Sequence, residues 1–510
     1  MNNYCKLELK KSIYCKKFII TFVISLTCLV FGIIEYIFIY KDFKNTGSLY
    51  LFTESYSSGF YSILIFLSPI ISSMPFALSY LKDQEMNNFN ELIDTIGKKK
   101  YFHSKFLVNA LLGGLVLSSS LAFYYIILVF TKGINLNDIE LLVFNKHLNE
   151  SIINNQILYV SIEIIFSFIF GATFANFTMC LSTVLKNRYL TIISSVFFHM
   201  LSSVVLLNVN SHFNSQIIYS ASICVDIGFL PRIAYAIILN AISIFIAYMS
   251  INNKFKQNIN LVRLFEFFAY LCISLLIFFR LEEFFMLYGN EGNIYEFLIY
   301  FFSGLYNVPY FISFCFLISI NDVLHENKNK KTSVKYRLLE DVRALLYKLL
   351  EFMIIIILIA LFMSIFKLSF NNDWSSMYKE SEHIINIYGE YKPLSIATII
   401  IINSFSYLLS IALICITVAR ITTNVVYAGI VTIFVVIFNI ATYIGRIRIL
   451  HIFSITYYCL SIAQFSDKKV LLVIGMSFLY WTCIIILLIH LYLNYSKVLA
   501  YKGNEIERYI

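Results

Sequence analysis

Long apolar runs recur along the whole chain and limit what it can fold into. Twelve segments rich in Ile, Leu, Phe and Val carry few charges, at about 18–40, 58–81, 106–131, 156–184, 189–208, 229–250, 264–286, 295–320, 348–369, 393–419, 424–445 and 470–493. An apolar run of about 20 residues is long enough to cross a bilayer as a helix. The pattern predicts an all-α, polytopic transmembrane helix bundle of about 12 spans.

The composition agrees with this prediction. The chain is 59% hydrophobic and 14% charged, whereas soluble domains are about 45–50% apolar and about 25% charged. The polar stretches between the runs reach only about 20–30 residues, too few for a separate hydrophobic core. We therefore expect no inserted soluble domain, and the first run, Phe18 to Tyr40, is predicted to be a retained helix.

Lysine and arginine collect on alternate sides of the predicted spans. With the N-terminus in the cytoplasm, about 26 of them lie inside and about 12 outside. Four residues oppose this bias, namely Arg446, Arg448, Lys468 and Lys469. The balance predicts that both termini are cytoplasmic. Attraction to anionic lipid accounts for the net charge of +9, so no nucleic-acid partner is expected.

The spacing of the spans suggests two similar halves. In each half, a basic inner loop separates the second and third spans, and only a few residues separate the fourth and fifth. The predicted division is a first six-helix half at 1–257, which begins with an amphipathic segment from about Tyr4 to Lys17, and a second six-helix half at 258–510.

The motifs that would indicate an enzyme are missing from the sequence. The nearest approach to a P-loop is Gly97-Lys98-Lys99, with Leu92 at the first glycine position and Lys99 at the hydroxyl position. There is no CxxC pair, no Cys/His cluster and no HExxH. We predict a chain without catalytic residues, cofactor-binding residues or a metal site of its own.

Ionisable residues inside predicted spans are functional candidates because a charge at membrane depth is costly. The candidates are Glu35, Glu163, Arg280, Glu282 and Glu283. The paired glutamates are expected at the outer mouth of the seventh span, where one of them would pair with Arg280. They are candidates for lining a cavity or for joining helices.

The inner loop at 82–105 has an unusual order of residues. Acidic residues lead, basic residues follow, and Phe89, Leu92, Ile93 and Ile96 recur between them at helical spacing. This pattern predicts a short amphipathic helix that could dock into a groove on a cytoplasmic partner. A solvated connector that only follows the positive-inside bias would have the same composition.

The stretch from about Pro69 to Leu115 resembles the corresponding region of bacterial type-2 ABC transporter permeases. In that family the second span leads through an acidic position and a coupling helix to a basic pair, a tyrosine and a lysine. The matching residues are Glu85, Lys98, Lys99, Tyr101 and Lys105, followed by the small-residue segment Asn109-Ala110-Leu111-Leu112-Gly113-Gly114. The family's glycine after the acidic residue is replaced here by Asn87-Asn88.

The resemblance implies an exporter subunit in the bacterial plasma membrane. Two cytoplasmic P-loop ATP-binding subunits, which carry the ATP and magnesium, would dock on the loops at 82–105 and 321–347. The second loop would present Leu338, Leu339, Val342 and Leu346. The resemblance also implies short re-entrant helices at about 209–228 and 446–469, and an amphipathic or hydrophobic substrate such as a peptide, lipid or drug.

Two other classes of membrane protein remain open. A secondary carrier or a lipid-linked oligosaccharide flippase would also have about twelve spans. A membrane-embedded glycan polymerase or transferase would need a large outer loop with paired carboxylates or arginines, and the outer loops here stay near two dozen residues.

Overall fold

The computed structural model of the chain describes residues 3–39, 47–57, 63–85, 89–134, 155–219, 228–251, 261–304, 307–326, 334–375, 391–422, 424–444, 479–480 and 482–491. Within these ranges the regular structure is helical, apart from one isolated parallel bridge between Asn293 and Ser369. Contacts divide the chain into two compact units. Unit 1 is Met1–Leu261 with Ile444–Ile447, and unit 2 is Val262–Tyr443 with Arg448–Ile510.

Unit 1 consists of long apolar helices and several short ones. Its α-helices are α1 (Asn3–Ile13), α2 (Lys16–Ile39), α3 (Ser48–Ser57), α4 (Ile63–Ser73), α5 (Ser79–Gln84), α6 (Phe89–Ile96), α7 (Lys98–Lys132), α8 (Gln156–Leu185), α9 (Arg188–Met200), α10 (Gln216–Tyr219) and α11 (Phe229–Ile251). Helix α9 continues through a π-helical turn, Leu201–Val205, into a 3-10 turn, Leu206–Asn208.

Unit 2 is built in the same way from helices of very different length. Its α-helices are α12 (Leu261–Tyr288), α13 (Ile294–Ser303), α14 (Ser313–Ser319), α15 (Asn321–Glu326), α16 (Val334–Ser364), α17 (Pro393–Thr422) and α18 (Val425–Ile444). A π-helical segment, Asn307–Ile312, leads into α14.

Seven helices among the described residues are long and apolar enough to cross a membrane, and nine are if each of two bent pairs counts as one span. Three shorter apolar helices, Leu64–Ser73, Val425–Asn439 and Thr482–Leu491, lie where the second, eleventh and twelfth spans are predicted. The all-helical fold is therefore confirmed, with seven to nine described helices that are candidates for membrane spans. Twelve crossings and two six-helix halves stay predictions.

Three predicted boundaries were wrong. The second span is not one helix, because α4 ends at Ser73 and a turn separates it from α5. Helix α7 begins at Lys98 rather than near 106, and α16 begins at Val334 rather than near 348. Helical hydrogen bonding continues through the charged residues at both starts, whereas a hydropathy window detects only the apolar part of a helix.

Glycine and asparagine set the turns around the two longest helices of unit 1. Gly97 precedes α7 at a φ of 85° and Gly133 follows it at 72°, a region that glycine enters without steric cost. Between α8 and α9, the Asn187 side chain accepts hydrogen bonds from the N–H groups of Tyr189 and Leu190. This cap produces the tight turn expected between the fourth and fifth spans.

Helices α7 and α8 pack backbone to backbone. A Cβ on Gly171 would lie 2.4 Å from the carbonyl oxygen of Gly113, and one on Gly113 would lie 2.5 Å from the Cβ of Ala175. Glycine is thus required for this approach, as in other closely packed membrane helices. We call this contact the glycine seam; it joins two of the longest helices in unit 1.

Candidate functional site

Lys105 lies in a buried polar cluster at the end of α7 nearest α6, which we call the inner end after its predicted orientation. Its Nζ is 2.8 Å from Oδ2 of Asp83 and 3.5 Å from Oε2 of Glu8, and its side chain is only 1% exposed. Lys105 therefore joins α7 to α1 and to α5. A pair this well buried is costly to disrupt, because the remaining charge loses its compensation.

Aromatic rings surround the ammonium group. Its Nζ lies 4.9 Å from the ring centroid of Phe76, 5.5 Å from that of Tyr101 and 6.0 Å from that of Tyr4. The Tyr101 hydroxyl donates a hydrogen bond to Oδ2 of Asp83 at 2.7 Å. The rings stabilise the cation and exclude water at once. We refer to Glu8, Asp83, Tyr101 and Lys105 together as the Lys105 cluster.

Helix α6 is seated beside this cluster by its apolar face. Phe89, Leu92 and Ile96 pack against a buried group that includes Tyr80 and Tyr101. The Phe89 ring meets both tyrosine rings edge-on, with centroids 6.0 Å and 6.1 Å apart. The amphipathic helix predicted from the sequence thus packs its apolar side, which is half-buried, against its own chain.

The polar face of α6 is exposed, as is the start of α7. The exposed residues are Asn90, Glu91, Asp94, Thr95, Lys98, Lys99 and Lys100. Acidic residues lie on α6 and basic residues follow on α7. We call α6, the start of α7 and the Lys105 cluster the inner platform. Of the predicted docking residues, Phe89 and Leu92 hold the platform together and Ile93 is half-buried. Lys98 and Lys99 lie at its surface.

Glu85, the predicted acidic position, connects the inner platform to the turn between α8 and α9. Its carboxylate accepts a hydrogen bond from Nη2 of Arg188 at the start of α9. The Glu85 side chain is 63% exposed and that of Arg188 is 36% exposed. An ion pair this exposed contributes little to stability, but it links a loop to a span.

In unit 2, the predicted second docking residues lie on the first turns of α16 rather than in a loop. Leu339 is 68% exposed, while Val342 and Leu346 are half-buried on the same helix. The side chain of Leu338 lies outside the described residues. Nearby, Arg420 at the end of α17 donates two hydrogen bonds to Asp341, at 2.9 and 2.8 Å, and Asp341 is fully buried. This bidentate pair fixes α16 against α17.

Glu163, one of the intramembrane candidates, is buried in unit 1 against a residue that sequence reasoning missed. Nη1 of Arg232 lies 3.3 Å from its Oε1, and both side chains are 1% exposed. The guanidinium also stacks on Phe166, 3.6 Å from the ring centroid, and Nη2 donates to the carbonyl of Ile218. The signal was available, because Arg232 lies inside the apolar run at 229–250.

The described part of the first predicted re-entrant segment folds into short turns. Ser211–Phe213 is a 3-10 turn and α10 follows it. Ser215 contacts Nδ1 of His199 at 2.7 Å and the hydroxyl of Ser202, and all three residues are buried. Ser215 and the Arg232–Ile218 bond therefore hold this segment to α9 and α11. Residues 220–227 and the second segment, 446–469, lie outside the described residues.

The remaining ionisable candidates lie in unit 2, except Glu35, whose side chain is outside the described residues. Arg280 contacts Glu283 and donates a hydrogen bond from Nε to the side-chain oxygen of Asn307 at 3.1 Å. Glu282 pairs with Lys367. The expected pairing of Arg280 with one of the two glutamates is confirmed. Asn307 is the first residue of the π-helical segment that leads into α14. Arg280 therefore joins α12 to this segment.

The structure brings Tyr101 and Lys105 together on Asp83, a residue that sequence reasoning did not single out. Glu8 and Arg188 were missed in the same way. One signal for the first group existed, because Tyr101 and Lys105 are four residues apart and must share a helix face. In the parts of the chain that the structure describes, no group of His, Cys, Asp and Glu could hold a metal ion.

Comparison with known proteins adds no family. No model of a known protein family, no curated protein and no solved structure matches the chain.

Proposed function

We propose that this chain is the membrane subunit of an ATP-driven exporter, with ATP hydrolysis supplied by cytoplasmic ATP-binding subunits. The inner platform is the observation that carries the proposal. A short helix with a charged outer face is seated on spans that continue into the membrane, at the place where the sequence resembles the coupling region of type-2 ABC permeases. Two ATPase copies would bind, and the substrate would be amphipathic or hydrophobic.

The length of α7 supports a role in transmitting movement. A helix of its 35 residues is about 52 Å long. The hydrocarbon core of a bilayer is only about 30 Å thick. One rigid element therefore continues from the inner platform through the bilayer. A partner that pulled on α6 would move α7 through the Lys105 cluster, and α8 would follow through the glycine seam. ATP would in this way bias two arrangements of the spans.

The partner would contact the exposed face of α6 and the three lysines that follow. Glu91 and Asp94 offer acceptors, and Lys98, Lys99 and Lys100 offer donors. This order of charges, acids on α6 and then lysines at the start of α7, would give a partner both orientation and register. Phe89 and Leu92 act indirectly, since they position that face.

The direct experiment is affinity purification of the tagged protein from its native cells in mild detergent, followed by identification of bound proteins. We expect a P-loop ATPase with the unaltered chain, and its loss from the variant K98E/K99E/K100E. For single changes, K99E and K132E form a matched pair, because they reverse one lysine near each end of α7. The first should weaken recovery of the ATPase and the second should not.

A second variant distinguishes the contact face of α6 from the packing that holds this helix in place. In F89D the polar face is unchanged, but the ring that holds α6 against Tyr80 and Tyr101 is lost. We expect weaker ATPase recovery together with faster proteolysis of the 86–97 region. Failure to recover any ATPase with the unaltered chain in several detergents, combined with ATP-independent transport in vesicles, would contradict the exporter proposal.

One observation favours a secondary carrier as the second candidate. Glu163 and Arg232 form a desolvated pair within helices that can span the membrane, and such groups often mark ion pathways. A carrier would lose ion-driven transport in E163Q while needing no ATPase. Transport driven by an imposed ion gradient in ATP-free vesicles distinguishes the two candidates.

A further inference from the structure

Helix α1 has two faces that differ in what covers them. One face is packed against unit 1, where Cys5 is buried with Phe76, Val108 and Leu112, and Leu9 and Ile13 pack on the same group. Glu8 on this side reaches Lys105. These contacts fix the rotation of α1 about its own axis, and so determine which residues point away from the protein.

The other face combines lysines with exposed apolar side chains. Leu7, Lys10 and Lys11 lie on one face of α1 by their spacing, and Tyr14 follows in the turn directly after Ile13. Leu7 is 68% exposed and Tyr14 is 78% exposed, and both lysines are exposed. A face of two apolar groups around two long cations is suited to the boundary between lipid headgroups and acyl chains, because lysine stems can lie along apolar surface while their charges reach the headgroups.

The position of α1 in the fold places this face close to a bilayer. Helix α2, which begins at Lys16, is apolar for most of its length, and α1 meets it at a bend of 53°. The turn is fixed by hydrogen bonds from the Cys15 N–H to Ser12 O and from the Phe18 N–H to Cys15 O. Tyr14 is therefore two residues from the start of a helix predicted to enter the membrane.

We propose that the outer face of α1 binds anionic phospholipid headgroups through Lys10 and Lys11, with Leu7 and Tyr14 inserted beside them. Charge complementarity selects this occupant, because the cytoplasmic leaflet to which the N-terminus is assigned carries anionic lipid. The interaction is independent of the exporter proposal, since it uses the face of α1 opposite the Lys105 cluster.

The test measures which lipid touches the side chain at position 14. The full-length variant Y14W is placed in nanodiscs whose phosphatidylglycerol or phosphatidylcholine carries bromine on its acyl chains, at equal total composition. The two native tryptophans fluoresce in both proteins. The signal of the introduced indole is therefore obtained by subtracting the fluorescence of the unaltered chain from that of Y14W. Both nanodisc leaflets have one composition, so the result does not depend on orientation.

We expect stronger quenching by brominated phosphatidylglycerol than by brominated phosphatidylcholine. The preference should fall about fivefold for each lysine replaced in K10Q and K10Q/K11Q, and stay unchanged in the matched control K98Q/K99Q. Equal quenching by both lipids would overturn headgroup selection. No quenching by either would show that α1 does not meet the bilayer, and a preference that survives K10Q/K11Q would overturn the assignment to these lysines.

Discussion

A buried ionic group lies near the start of one long helix in each unit, α7 in unit 1 and α16 in unit 2, but the two ionic arrangements differ. In unit 1, Lys105 lies seven residues after Lys98, the first residue of α7, and in unit 2 Asp341 lies seven residues after Val334, the first residue of α16. Both side chains are almost fully buried. Lys105 contacts acids from two other helices, whereas Asp341 receives one bidentate arginine. The helix position is shared, but the charge on it is reversed.

The two ionic arrangements also differ in the number of helices that they connect. The Lys105 cluster joins α7 to α1 and to α5, so we expect a displacement of α5 to move α7 and α1 with it. The Asp341–Arg420 pair joins α16 to α17. These ion pairs therefore connect three helices in unit 1 and two in unit 2. We infer that a partner bound to unit 1 would move more of the protein than one bound to unit 2.

The largest effect is expected from K105M. Removing the ammonium leaves Asp83 and Glu8 without their cation in a buried site, which should cost about 3–5 kcal/mol in the free energy of unfolding. Thermal unfolding in detergent measures it. The double variant K105M/D83N should recover part of the loss, because one of the two stranded carboxylates is removed. An unchanged unfolding midpoint in K105M would contradict the claim that the Lys105 cluster stabilises unit 1.

R420L in unit 2 should cost less, about 2–3 kcal/mol, because it leaves one carboxylate without its cation where K105M leaves two. R420K keeps the charge but cannot make both hydrogen bonds, and should cost about 1 kcal/mol. The same unfolding assay compares them with K105M. A loss in R420L larger than that in K105M would reverse the ranking of the two sites.

G171A tests whether unit 1 transmits movement between α7 and α8. The added methyl would lie 2.4 Å from a backbone oxygen of α7, so the helices must separate, at a cost of about 1–3 kcal/mol. S410A on helix α17 is the control, since it removes rather than adds volume. We expect G171A to lower substrate transport more than ATPase binding. Equal loss of both would indicate simple misfolding.

The smallest stability effect is expected from E85Q. Glu85 is 63% exposed and its partner Arg188 is half-buried, so the pair is accessible to solvent and less than about 1 kcal/mol should be lost. If the pair serves to connect loop and span, E85Q and R188Q should lower ATPase stimulation by substrate while unfolding stays almost unchanged. A stability loss comparable to that of K105M would show that the Glu85–Arg188 pair stabilises the fold as strongly as the buried Lys105 cluster does.

The sequence predicted the helices well where the apolar pattern was continuous. It missed the helical starts at 98–105 and 334–347 because charged residues lower the hydropathy while leaving the helix intact. The resemblance to type-2 ABC permeases, rather than periodicity, singled out Tyr101 and Lys105, which share one helix face. Asp83 and Glu8 were missed because spacing reveals neighbours on one helix, whereas the contact with Lys105 depends on how separate helices pack.

The same limitation explains the predicted docking helix. Periodicity revealed that α6 has an apolar face, but not whether a partner or the chain itself covers it. Phe89 and Leu92 are half-buried against a group that includes Tyr80 and Tyr101, so the polar face is the more accessible side for a partner. Arg232 was missed for a different reason, since it lies in an apolar run whose average hides a single charge.

The most direct test of the inner platform is site-specific photocrosslinking in native membranes. A photoreactive residue in place of Asp94, on the exposed face of α6, should capture a nucleotide-binding protein, and one in place of Thr131, at the far end of α7, should not. Capture at position 94 that increases with ATP would support the platform as the docking site. Capture of no nucleotide-binding protein there, in cells where transport still proceeds, would contradict it.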